Sequence, residues 1–144
     1  MKKRIILPAI LLWLAGWQIA TAEEAPAGDY TLERSRLRGL IEENLSRNPS
    51  QGRDYILRLE EEARRNGDIA TEAYARTKIL EYYYPFFDND SLFIAARQAE
   101  DFARQHKQYR YLFLVKQIVV QRYVNEGKYG QGLAGASAMH EDAK

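Results

Sequence analysis

There is no cysteine in this chain, which excludes disulfides, thiolate metal sites, cysteine nucleophiles and lipoprotein attachment. Proline and glycine are scarce, four and nine in 144 residues, so long helices can run without interruption. Charge of one sign is also lacking. The 21 basic and 20 acidic side chains leave a net +1, a balance that gives nucleic acid no general attraction. Histidine is confined to His106 and His140. They are far apart in sequence, whereas helical metal ligands recur one turn apart. Glu141 and Asp142 point away from His140 around a helix, so both histidines are expected at the surface. No G-x-S-x-G or P-loop pattern occurs, and Ser46, Ser50 and Ser91 fall at helix ends, where serine caps. The expectation from the residues is no metal, no cofactor and no enzyme.

What is present is ample apolar material, 46% of residues with 12% aromatic, enough for a folded core. The first residues form a separate unit. Lys2, Lys3 and Arg4 precede an apolar run from Ile5 to Ala20, and Ala20-Thr21-Ala22 stands before Glu23-Glu24. A basic start, an apolar stretch and a small-x-small site are the signature of a secretory signal peptide. The run of 16 residues falls short of the ~20 that a membrane-spanning helix needs. Cleavage is expected after Ala22, because Pro26 obstructs the competing site after Ala25; a retained anchor is the alternative. Removal takes away three of the 21 basic side chains and none of the 20 acidic ones, leaving a net charge of −2. The expected division is a signal peptide over 1–22, a short linker over 23–29 and a helical domain over 30–144, exported to the periplasm.

Beyond Pro26 apolar residues recur at helical spacing between short polar breaks, and no segment alternates with period two. Leu37, Leu40, Ile41 and Leu45 line a first helix that Asn48-Pro49 stops. Ile56, Leu59 and Ala63 form the buried side of a second, with Glu60 and Glu61 four residues before Arg64 and Arg65 on its solvated side. Gly67 suits a left-handed helix end and Asp68 a cap for the third helix, which carries Ala73, Ile79 and Tyr83. Asp88-Asn89-Asp90-Ser91 caps a fourth, with Ala96, Ala99 and Ala103 inward. A fifth is expected from about Gln108 to Glu126, with Phe113, Val119 and Tyr123 inward, and Gly127 ends it. A sixth follows. The fold class is all-α.

The helices are related. Glu61-Glu62-Ala63-Arg64, Asp101-Phe102-Ala103-Arg104 and Glu141-Asp142-Ala143-Lys144 recur at intervals of 40. The same offset aligns Ile56, Ala96 and Ala136, then Leu59, Ala99 and Met139. It also pairs Ala73 with Phe113, Ile79 with Val119 and Tyr83 with Tyr123. Each repeat holds two amphipathic helices, and such a pair buries its faces only against a stacked neighbour. This period settles how to read Gly130-Gln131-Gly132-Leu133-Ala134-Gly135, which matches G-x-G-x-x-G. A dinucleotide loop needs a buried strand running into the first glycine and an acid about 20 residues beyond. Here a helix precedes the glycines, which are small residues where paired helices cross.

Tyr123-x3-Gly127-x-Tyr129, followed by Gly132, Ala136 and Met139, resembles the tetratricopeptide repeat. The match is best from about Phe113 onward. In the middle repeat Tyr83 and Ala96 fit, but Asp88-Asn89-Asp90 replaces the turn and Leu92 stands where a small residue is usual. Arg76 and Lys116 take the family's tryptophan position, Leu80 and Val120 its helix-A glycine. The period exceeds the family's ~34, so the repeats are degenerate. The resemblance implies helical hairpins stacked into a superhelix whose concave side holds a peptide or a partner's helix. Carried over position by position, the groove residues are Tyr74, Thr77, Glu81 and Tyr84, with Leu114, Gln117, Gln121, Val124 and Asn125 as counterparts. Any of the tyrosines is equally well placed for plain core or rim. The run Tyr82-Tyr83-Tyr84-Pro85-Phe86-Phe87 divides between core and a patch for a partner.

The function expected is a non-catalytic exported module that binds a protein or peptide. No nucleic acid is expected, and membrane only through the signal peptide or a downstream anchor. A repeat array closes on a polar capping helix, whereas this one ends within a second-of-pair helix, so the domain is expected to be incomplete. The alternative reading is therefore the periplasmic sensory region of a longer transmembrane regulator, a histidine kinase or a helix-turn-helix protein.

Overall fold

The computed structural model describes residues 27–86 and 89–142. The expected signal peptide and most of the expected linker lie outside them. Among the described residues the chain is all-helical, with six α-helices: α1 Ala27–Arg47, α2 Pro49–Arg65, α3 Ile69–Tyr83, α4 Asn89–Gln105, α5 Tyr109–Asn125 and α6 Tyr129–Asp142. A 3₁₀ turn, Tyr84–Phe86, extends α3. No described helix is long and apolar enough to cross a membrane. Helix α1 begins inside the stretch read as a linker, with Asp29 in its first turn, where a carboxylate favours the positive end of the helix.

The boundaries follow from cap chemistry. The Asn48 side chain accepts from the Gln51 N–H, with Pro49 at the first helical position of α2, and Asp68 accepts from Thr71 N–H to open α3. The ends of α2, α4 and α5 share one hydrogen-bonding pattern. In each the chain turns left-handed, at Gly67 (φ 65°), Lys107 (φ 56°) and Gly127 (φ 72°). The next N–H reaches back to the carbonyl of Ala63, Ala103 or Tyr123, closing the orphan carbonyls that every helix end leaves. Lysine holds at the middle site a conformation that glycine adopts without cost.

Each helix packs on the next, and α3 also meets α5. Leu37, Ile41, Ile56, Leu59 and Ala75 form one buried cluster; Leu80, Leu92, Ala96, Ala99 and Val115 form a second. Ile79 touches both. The period of 40 is carried into three dimensions, since α2 and α4 start 40 residues apart, as do α3 and α5. Within it the hairpins differ at one position. A Cβ on Gly52 would lie 3.1 Å from the Leu45 backbone nitrogen, whereas Leu92, 40 residues on, is fully buried. The α1–α2 crossing is therefore tight, while the α3–α4 hairpin accommodates a leucine and carries the longer connection through Tyr84–Phe86.

Two cations 40 residues apart, Arg76 and Lys116, tie helices together. Arg76 pairs with Glu60 of α2 at 3.0 Å and Glu72 at 2.8 Å, and lies 4.7 Å over the Phe102 ring of α4. Lys116, its counterpart, pairs with Glu100 of α4 and Asp142 of α6. Each cation thus joins its own helix, α3 or α5, to the helices before and after it.

Several expectations are corrected here. Phe113 is not inward but 51% exposed; the buried stripe of α5 passes instead through Leu112, Val115 and Arg122. Placing Phe113 inward followed apolar spacing along α5; its counterpart 40 residues earlier, Ala73, is buried. His106 is half-buried, its ring 4.4 Å from that of Phe102, while His140 is exposed. Asn89 opens α4 but turns its amide toward α5, as described below. Gly130, Gly132 and Gly135 lie within α6. A Cβ on Gly132 would meet Val124 at 3.0 Å, and one on Gly135 would meet Val120 at 2.8 Å, so these two glycines serve helix crossing.

Candidate binding groove

Residues that share one face of a helix recur every three or four positions. On α3 and its 3₁₀ extension this places Thr77, Glu81 and Tyr84 in line; on α5 it does the same for Leu114, Gln117, Gln121 and Asn125. Because α3 and α5 lie side by side in the same register, the two rows face one another. They wall a groove of about 610 Å³ together with Pro85 and Ile118. Toward the start of the helices the groove continues into a second section of about 280 Å³, lined by Arg38, Glu42, Tyr74, Thr77, Lys78, Glu81, Arg110, Tyr111 and Leu114. Thr77, Glu81 and Leu114 border both sections.

Seven of the nine sequence-derived site residues thus meet in the main groove, and Tyr74 lines its continuation. Val124 does not belong to it. Its side chain is 39% exposed and turns toward α6, with Cγ2 against Gly132. It stands at the edge of the row of Gln117, Gln121 and Asn125, three residues after Gln121, where α6 and not the groove covers it.

Two networks hold the walls. At the far end Tyr84 is fixed from both sides: Asn125 Nδ2 donates to its hydroxyl at 2.6 Å, and the Arg122 guanidinium lies 5.0 Å over its ring. Arg122 is 2% exposed. Its Nε donates to Asn89 Oδ1 at 2.7 Å and lies 3.2 Å from Glu126, to which Asn89 Nδ2 donates in turn at 2.6 Å. A buried cation needs such partners to offset its lost hydration. Gln121 Nε2 donates to Asn125 Oδ1 at 2.9 Å, which orients the amide row.

At the near end Lys78 bridges Glu42 and Glu81, 2.9 Å from each. Burial alone would lower the Lys78 ammonium, but the two carboxylates outweigh it and raise the value. Burial likewise opposes the ionised form of Glu42, yet Lys78 and the Tyr74 hydroxyl, which donates to it at 2.8 Å, hold its carboxyl below the usual range. Tyr74 is pushed well above a free phenol by burial and by that bond to Glu42. The Arg38 guanidinium covers its ring at 4.3 Å.

The aromatic run divides three ways. Tyr83 packs on the second core cluster, Tyr84 enters the groove, and Tyr82 stands 5.2 Å from Phe86, with Arg53 6.0 Å over the Tyr82 ring. The Phe87 part of that reading lies outside the described residues.

Sequence reasoning missed Pro85 and Ile118 as groove residues and, in the second section, Arg38, Glu42, Lys78, Arg110 and Tyr111. Ile118 sits one turn after Leu114 and was hidden among the apolar residues of α5. Arg38 precedes Lys78 by 40 residues, a signal the period offered. Groups of three or more side chains able to hold a metal do not occur among the described residues. Comparison with protein-family models, with curated proteins and with solved structures gives no match to this chain.

Proposed function

We propose that this chain is a non-catalytic, exported interaction module of the tetratricopeptide type, whose groove between α3 and α5 holds an extended segment of a protein or peptide. One observation carries the reading. Gln117, Gln121 and Asn125, all exposed, stand on one wall of an otherwise largely apolar groove. They recur at four-residue steps, about 6 Å along a helix, close to the ~6.6 Å over which an extended chain repeats its outward-facing amides. A row of amide side chains, each able to donate and accept, suits the alternating N–H and C=O groups of a main chain. Tyr84, Leu114 and Ile118 supply the apolar contact that such binding requires. The small-x-small site before Glu23 supports export.

The test is selection from a display library of random peptides on the immobilised protein. The expected result is a set of enriched peptides that bind saturably and lose at least about tenfold affinity to Gln121→Trp, which fills the groove, while far-ultraviolet dichroism is unchanged. Failure to enrich any peptide, or enriched peptides that bind the variant equally well, refutes the reading.

A further inference from the structure

The charges in the second section of the groove are not all accounted for. Glu42 and Glu81 are both taken by Lys78, 2.9 Å from each. That leaves Arg38 on α1 and Arg110 on α5, which line the same cavity. Neither has a carboxylate within ion-pair distance among the described residues. Arg38 reaches the Thr71 hydroxyl only at 3.5 Å, and its Nε is buried with no hydrogen-bond partner. It also covers the face of Tyr74 at 4.3 Å and acts on Glu42 through its charge, from beyond ion-pair distance. Arg110 is exposed and lies 6.0 Å over the Tyr111 ring. Three cations, Arg38, Lys78 and Arg110, therefore face two carboxylates, Glu42 and Glu81, and the section carries one excess positive charge among two tyrosine rings and a threonine hydroxyl.

We infer that this section is a subsite for an acidic side chain of the bound segment, with Arg38 and Arg110 as its ligands. Guanidinium pairs carboxylate through parallel N–H donors, which makes the contact strong and directional. Arg38 is preset for it, since stacking on Tyr74 fixes the plane of its guanidinium. The inference rests on the peptide-binding reading above and adds a register to it. From Arg110 to Asn125 the helix advances about 22 Å, the length of six or seven extended residues. From Arg110 to Gln117 it advances about 10 Å, or three such residues. The acid therefore belongs near one end of the bound segment, about three residues from the first one that the amide row holds.

The same peptide selection tests this separately from the groove itself. The expected outcome is enrichment of Asp or Glu at one position near an end of the selected motif. Synthetic peptides with that residue changed to Gln or Asn should bind about tenfold more weakly to the wild-type protein. Arg110→Gln, on an exposed side chain that folding does not need, should abolish that difference; Arg38→Gln should do the same. Enriched peptides without an acidic preference, or a preference unchanged in both variants, overturn the subsite while leaving the groove intact. Amidating the peptides distinguishes the source of the carboxylate. Binding that survives amidation supports a side chain, and binding that requires a free carboxyl terminus overturns the assignment to a side chain.

Discussion

Asp68 makes four hydrogen bonds, two to α1 and two to Thr71, and so joins the start of α3 to α1. Its Oδ1 accepts from the Thr71 N–H at 3.0 Å, and its Oδ2 from Arg34 at 2.8 Å, the Tyr30 hydroxyl at 2.9 Å and the Thr71 hydroxyl at 2.8 Å. Burial by itself would raise the carboxyl. Arg34 and then the Thr71 and Tyr30 groups outweigh it and bring the value from 3.8 down to about 2. At 1.36 kcal/mol per pH unit that displacement corresponds to about 2 kcal/mol once the partial exposure of Arg34 is discounted. Asp68→Ala should therefore cost about 2–3 kcal/mol, a figure that includes the lost cap. Asp68→Asn, which keeps an acceptor for Thr71 N–H, should cost about half as much. The pH dependence has a defined sign. Because the folded carboxyl titrates below the unfolded one, its contribution is complete above pH 3.8 and is lost as pH falls through about 2. Urea unfolding followed by far-ultraviolet dichroism, near neutrality and at several acid pH values, measures both effects. A loss below about 0.5 kcal/mol for the alanine variant would refute the reasoning, since caps alone are worth that much. So would a gap between wild type and variant that stays constant on acidification.

Two glycines in neighbouring helices should respond in opposite directions to the same change. Gly52→Ala drives a Cβ to 3.1–3.2 Å from backbone atoms of Asn44 and Leu45, which cannot yield as a side chain does. It should destabilise by about 1–2 kcal/mol despite alanine's better helix propensity. Gly39→Ala, in α1 with nothing within 4 Å, should stabilise by about 0.5–1 kcal/mol. Lys107→Gly should add about 1 kcal/mol, because it removes a left-handed non-glycine residue from the end of α4. Urea midpoints check all three, and a destabilised Lys107→Gly variant would show that the lysine makes a contact worth more than its backbone strain.

The all-helical fold was legible because its determinants are local and repeated. Gly67, Asp68, Asn48-Pro49 and Gly127 act within a turn or two of their own positions, and the buried series Ile56, Leu59, Ala63 recurs as Ala96, Ala99, Ala103. The groove was legible to the extent that position within the repeat fixes which way a helix faces. Thr77, Glu81, Gln117, Gln121 and Asn125 came from the family resemblance, position by position, and the period only pairs Thr77 with Gln117 and Glu81 with Gln121. Three things were not local. Phe113 occupies the position of a buried alanine, yet its burial depends on what packs over α5 and not on α5 itself. Arg122 reads in sequence as one more polar helix residue; only the approach of α4 supplies the Asn89 amide that lets it be buried. The charge balance in the second section depends on which of several acids Lys78 reaches, and helical periodicity does not encode that choice.

Ile79 packs against both core clusters, and the helix that bears it also forms one wall of the groove. In an array where each helix leans chiefly on its neighbours, folding spreads as along a row of dominoes, through short chain closures of little entropic cost. Either end can fray while the other stands, and α3 is the hinge across which the two halves hear one another. A segment bound in the groove as proposed would grip α3 and α5 together and act as a staple across that hinge. Occupancy should turn two loosely coupled melting units into one, a change in cooperativity that calorimetry can see even when the midpoint moves little.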